Sequence, residues 1–281
     1  MLAAGTGPSA EPMRGKRTMA EVMTTTRPIE TPRPELRRIG TAELATALRR
    51  GWTDFLATPT QLVFLCVLYP VIGLVAATLA AGGEVMHLFY PMAAGFALVG
   101  PIAALGLYEI SRRREAGLPA TWVNVFDVLK SPALPAIVAL GLVLVVLFLG
   151  WLWAADAIHA ATLGTLPVQP GQDAMTQLFS TQEGRRMILL GNAVGFLFAV
   201  VVLALTVVSF PMLLDRDGGV GQAVATSLRA VALNPVPMAL WGLIVAVLLL
   251  LGSLPLFIGL AVVLPVLGHA TWHLYRLVVV R

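Results

Sequence analysis

From residue 59 onward the chain falls into six long apolar stretches, approximately 59–81, 87–110, 132–157, 187–213, 235–251 and 255–276. Each is near the roughly 20 residues that cross a bilayer as a helix. The connections at 82–86 and 252–254 are short, which forces antiparallel neighbours and predicts three helical hairpins. The connection at 158–186 is long and polar, with Pro167, Pro170 and Gly171. Residues 1–38 show no apolar periodicity and are rich in Pro, Thr, Arg and Gly. They read as a disordered basic tail ahead of a six-helix integral membrane domain, 39–281. The tail lacks the apolar core of a signal peptide, and Met13, Met19 and Met23 leave the true start codon open.

A weaker pattern repeats three times. A Pro opens the first helix of each hairpin, preceded by a small polar residue: Thr58-Pro59, Ser131-Pro132 and Asn234-Pro235. Thr, Ser or Asn suits the capping of free N–H groups, and Pro suits the first helical turn. Upstream of each Pro lies an amphipathic stretch. Its apolar stripe is Leu48, Trp52 and Phe55 in the first copy, and Val224, Leu228 and Val231 in the third. The second has Val125 and Val128 with Trp122 beside Thr121. Such helices are expected along the cytoplasmic interface, anchored by Trp52 and Trp122. At the far ends, Pro101 to Arg112, Leu205 to Arg216 and Pro265 to Arg276 each span eleven residues. This register aligns Tyr108, Met212 and Trp272, and it closes each unit with Arg.

Composition narrows the class. Of 281 residues 58% are apolar and 12% charged, and the mean hydropathy is +0.84. Soluble domains carry about 25% charged residues, so a water-soluble globule is excluded, as is a mostly disordered chain. The net charge of +4 does not indicate nucleic acid, because the positives flank apolar stretches instead of forming a basic domain. Counting Lys and Arg gives 9 up to residue 58, 4 in 111–131, 2 in 214–234 and 2 from Arg276 onward, a total of 17 on one side. The other side has Arg185 and Arg186 only. Both termini are therefore expected in the cytoplasm. The single Cys66 precludes an internal disulfide and reads as a small buried hydrophobe.

Two stretches then carry a resemblance. One runs from Gly100 and Pro101 through Tyr108 and Glu109 to Arg112 and Arg113. The other runs from Gly268 through His269, Trp272 and His273 to Arg276. Between them lie Ser209 to Arg216, Ser227 to Val231, and Asn234-Pro235. Over about 38–278 this resembles an uncharacterised bacterial family of predicted integral membrane proteins with a domain of unknown function and six membrane helices. The resemblance implies a multi-pass protein of the bacterial inner membrane, and it implies no substrate or reaction.

Ionisable residues within apolar stretches are few, and burial makes each a functional candidate. Glu109 lies at the end of the second stretch; His269 and His273 share one face of the sixth. A metal or haem site is the sharper reading of the two histidines with Glu109. Packing through Glu109–His273 or Tyr108–His269 hydrogen bonds is the other, and Glu109 is also set to meet Arg276. No HExxH, CxxC, GxSxG or phosphate-cradling loop occurs, so no catalytic or cofactor-binding residue is assigned and no cofactor is expected. Trp52, Pro59, Tyr108, Glu109, Trp122, Pro132, Pro235, Trp272 and Arg276 are expected to be structural or interfacial.

The functional expectation is a non-enzymatic scaffold or accessory of a membrane complex. Its partners would be the bilayer, a membrane complex, and anionic lipid head groups at Arg112, Arg113 and Arg114. A transporter or lipid-handling protein for apolar or weakly polar molecules is the alternative. It rests on Pro91, Pro101, Pro211 and Pro265, on Gly191 and Gly195, and on Tyr69, Tyr90 and Tyr108 as lining groups. A metal- or haem-binding membrane subunit is the third.

Overall fold

The computed structural model describes residues 34–59, 91, 100–166, 174–216, 218–255 and 257–280. Within these the chain is helical, and the one β feature is an isolated antiparallel bridge between Leu36 and Val279. In chain order the α-helices are α1 (Thr41–Ala57), α2 (Gly100–Ala103), α3 (Leu105–Glu115), α4 (Leu134–Ala161), α5 (Ala174–Ser180), α6 (Gln182–Thr206), α7 (Ser209–Asp215), α8 (Val220–Leu233), α9 (Pro235–Ser253) and α10 (Leu260–Val278). A 3₁₀ helix occupies Trp122–Lys130.

Three of these stretches are long and apolar enough to cross a membrane: α4, the α6–α7 run Gln182–Asp215, and α9. They fall on the third, fourth and fifth apolar stretches of the sequence. The first stretch lies outside the described residues beyond Pro59, as do residues 87–99 of the second apart from Pro91. α2 and α3 form the end of the second. α10 occupies the sixth, and its second half, from Leu267 to Tyr275, is almost wholly buried by protein.

Proline places two of the helix boundaries. Pro235 is the first residue of α9, as its fixed φ and missing N–H favour. Pro211 removes the N–H that would bond residue 207, and the α6–α7 run is broken at Val207 and Val208. The Val208 N–H donates to Ser227 Oγ of α8 (3.3 Å), so a neighbouring helix satisfies the interrupted backbone. α4 begins two residues later than expected. Pro132 sits in the preceding turn, and Ser131 Oγ accepts from the Ala133 N–H (3.2 Å).

Asn234 departs from its expected capping role. Its Oδ1 accepts from the Ile39 N–H (2.8 Å), and its Nδ2 donates to the carbonyls of Arg37 and Ala230 (3.1 Å each). It thereby fixes a strap, residues 34–40, that composition alone assigns mostly to the tail. The strap also runs beside the end of α10, through Arg37 N–H to Val278 O (2.8 Å) and Val280 N–H to Glu35 O (3.0 Å).

The helices before the Pro residues form, and their apolar stripes divide between core and surface. α1 buries Leu44, Ala47, Gly51, Asp54 and Phe55, and leaves Trp52 47% exposed. α8 buries Ala223, Thr226, Ser227 and Ala230, and leaves Leu228 45% exposed. Small residues let these helices approach their neighbours closely, while Trp52 and Leu228 stand outward. A Cβ built on Gly51 would lie 2.6 Å from the Ala270 nitrogen and 2.8 Å from its Cα, so only Gly permits this contact of α1 with α10. A Cβ on Gly268 would meet Leu107 Cδ1 at 2.4 Å, which seats α3 on the same helix.

The middle copy is a 3₁₀ helix, where side chains three apart stack. Its sequence repeats with that period: Trp122, Val125, Val128; Val123, Phe126, Leu129; Asn124, Asp127, Lys130. The polar row is laced together by Asn124 Nδ2 to Asp127 Oδ2 (2.6 Å) and Lys130 Nζ to Asp127 Oδ1 (3.1 Å). Val123, Phe126 and Leu129 form an exposed apolar ridge, and Trp122 is 51% exposed.

Candidate functional site

α1, α3 and α10 meet around a buried polar network centred on Asp54. Because α1 packs through Ala47 and Gly51, the next turn of the same face carries the Asp54 carboxylate into the interface. Oδ1 accepts from Arg114 Nε (2.8 Å); Oδ2 accepts from Ser111 Oγ (2.6 Å) and His273 Nε2 (2.8 Å). Ser111 Oγ also meets His269 Nδ1 at 2.8 Å. The serine proton is given to Asp54, so the His269 Nδ1 must donate to Ser111. The His269 Nε2 then has no hydrogen-bond partner among the described residues.

The electrostatics of Asp54 follow from these contacts. Burial pushes its pKa up, but the hydrogen bonds from His273, Ser111 and Arg114 outweigh that cost and bring it down to about 2 from an ordinary 3.8. A carboxylate with a depressed folded-state pKa contributes stability that is complete above about pH 4. That contribution is lost as the pH falls through about 2.

A second set of pairs ties helix ends together. Arg276 forks onto Glu115, with Nε and Nη2 each 3.0 Å from a carboxylate oxygen, and its Nη1 reaches Asp215 Oδ2 (3.1 Å). The Trp272 indole donates to Glu115 Oε2 (3.1 Å), and the Tyr275 hydroxyl to Asp215 Oδ2 (2.6 Å). Arg276 therefore joins the ends of α3, α7 and α10. Arg216 donates to the Val280 carbonyl.

The two histidines lie on one face of α10, as their spacing requires, and both join the Asp54 network. The expected pairings are replaced. Glu109 is buried and held by Arg112 of its own helix, through Nε (2.7 Å) and Nη2 (2.9 Å), and not by His273 or Arg276. Tyr108 meets the Thr271 side chain and not His269. Trp272 is fully buried, whereas Trp52 and Trp122 stand exposed. The Arg112–Arg114 run, read as a place for lipid head groups, is engaged internally by Glu109, Asp127 and Asp54. Among the described residues no three of His, Cys, Asp or Glu converge as a metal site.

Asp54, Ser111, Glu115 and Asp215 were not singled out from sequence as site residues. The available signal was the small-residue row of α1: Ala47, Gly51 and Asp54 share one face, so the acid points where backbones approach closest. Glu109→Ala should lower the melting temperature by the equivalent of about 1–2 kcal/mol, the worth of a charged hydrogen bond. Glu183→Ala, which breaks an exposed pair with Arg186, should stay within about 0.5 kcal/mol. Equal shifts for the two variants in one detergent would refute this ranking.

The described residues are helical, with three helices apolar enough to cross a bilayer, as in an integral membrane protein. Residues 89–215 match the model of a family described as predicted integral membrane protein, DUF2189. The match takes in α2 to α7, and leaves α1 and α8 to α10 outside it. No curated protein and no solved structure matches the chain.

Proposed function

We propose that the protein is a non-enzymatic scaffold of the bacterial inner membrane, an accessory that holds another membrane complex. Six spans form three hairpins, and both termini lie in the cytoplasm. One observation carries the reading: Asp54, Glu115 and Asp215 at the polar end are each bound by an arginine of another helix. Acids held this way hold helices together instead of moving protons for a substrate.

Three further features support it. Tyr108, Met212 and Trp272, aligned by the eleven-residue register, are all buried, and Arg276 draws the ends of α3, α7 and α10 together as a threefold arrangement would. The outward Trp52, Trp122, Phe126 and Leu228 suit helices lying in the bilayer interface. The 17-to-2 distribution of Lys and Arg supports a cytoplasmic polar end.

Deletion of the chain from its host followed by native electrophoresis of mild-detergent membranes tests the proposal. The expected result is loss of one membrane assembly that co-migrates with the tagged protein. Its restoration by the wild-type chain but not by an Asp54→Ala variant would support a role resting on the intact polar end. An unchanged set of assemblies, with the tagged protein migrating alone, would overturn it.

A further inference from the structure

Below the Arg276 cluster the structure holds a cavity of about 230 Å³, lined by Arg37, Arg50, Glu115, Arg276, Val279 and Val280. Its charge is unbalanced. Glu115 is forked by Arg276 and bonded by Trp272, so its negative charge is already matched. Arg37 and Arg50 have no carboxylate partner among the described residues, and both are exposed. Arg112, Arg113, Arg114 and Arg276 each have an acid, whereas the two arginines facing the cavity do not.

Backbone bonds and ion pairs hold the walls, so the backbones of Arg37 and Arg50 and the Arg276 guanidinium are fixed in place. Arg37 is brought there by the strap, through its own N–H to the Val278 carbonyl (2.8 Å). Arg50 projects from α1, which Gly51 seats against Ala270. Arg276 is fixed on Glu115 and Asp215, and its five N–H donors exceed the contacts those acids use. Guanidinium forks match the oxygens of a phosphate group, and repeated Arg in one concavity is the usual chemistry of phosphate recognition.

We propose that this cavity binds a phosphate-bearing anion between Arg37 and Arg50, with Arg276 as its back wall. The group is a phosphomonoester or phosphodiester, carried either by a lipid head group or by a small soluble molecule. The site differs from the Arg112–Arg114 run considered from sequence, whose charges the protein uses itself. It is independent of the scaffold role, since binding is measured on the purified chain without any partner complex.

The test uses the full chain in detergent and in nanodiscs, with melting and tryptophan fluorescence as readouts. One arm titrates inorganic phosphate and glycerol 3-phosphate. The other compares discs containing phosphatidylglycerol with discs of phosphatidylcholine alone. Saturable binding is expected in at least one arm, weakened roughly tenfold or more by Arg37→Ala with Arg50→Ala, the loss of two charged contacts. Arg49→Ala, an exposed neighbour outside the cavity, should leave it unchanged. Both arginines are exposed, and unchanged melting without ligand confirms that the variants fold. Dependence confined to phosphatidylglycerol discs identifies a lipid head group as the source; dependence confined to the soluble arm identifies a small phosphate compound. Absence of a saturable effect in both arms, or an equal loss in Arg49→Ala, overturns the proposal.

Discussion

Asp54→Ala should lower the melting temperature of the purified protein by roughly 10 °C, from a cost of about 3–5 kcal/mol for emptying one side of a buried pair. The carboxylate is the common acceptor for Arg114, Ser111 and His273, and its removal leaves three donors facing one another. Asp54→Asn retains the shape and one acceptor oxygen, and should fall between the variant and the wild type. The same experiment repeated along a pH series has a signed outcome. Wild-type stability should decline by about 2 kcal/mol as the pH drops from about 4 to about 2, the interval between the unfolded and folded pKa values of this group. Asp54→Asn should lose that part of the decline. A melting temperature for Asp54→Ala within 2 °C of wild type, or roughly the same shift for an exposed acid, would show that the network carries little energy.

Gly51→Val should release α1 from α10. The clashes predicted at Ala270 are with backbone atoms, which no rotamer change relieves. Overpacking costs typically about 1–3 kcal/mol, and here the helix that moves is the one carrying Asp54. The decisive measurement is therefore a double-mutant cycle. If Gly51 acts by seating α1, Asp54→Ala adds little on top of Gly51→Val, because the carboxylate has already left its donors. Simple additivity would mean that the two residues stabilise the protein by separate routes.

Several elements of the fold can be read from the chain. α4, α6–α7 and α9 announce themselves by length and hydropathy, and Pro235 and Pro211 mark a start and a break. Less legible is the close-packing face of the short helices. In a bilayer large apolar groups need no protein cover, and close packing falls to Ala, Gly and Ser. The stretch Trp122–Lys130 resembles an amphipathic α-helix of period 3.6, whereas its apolar-apolar-polar triplets fit a period of three. The polar network is harder to foresee. Asp54 and His273 are separated by 219 positions and have no local pattern in common. Glu109 shows the opposite hazard: a partner three residues away on the same helix satisfies it before any distant cation is needed.

The pairing of α1 and the strap with α10 also bears on how the chain is made. Residues 34–57 leave the ribosome more than 200 positions before α10, so their docking face, with Leu44, Ala47 and Phe55, must wait uncovered while the intervening helices are inserted. Closure of so distant a contact is entropically late. The Arg37–Val278 and Asp54–His273 bonds thus act as a completion signal, formed only when the last helix has been threaded. A nascent chain arrested near residue 255 would present that face, with Asp54 lacking its His273 donor, to the cell's quality-control proteases, whereas a finished one would conceal it.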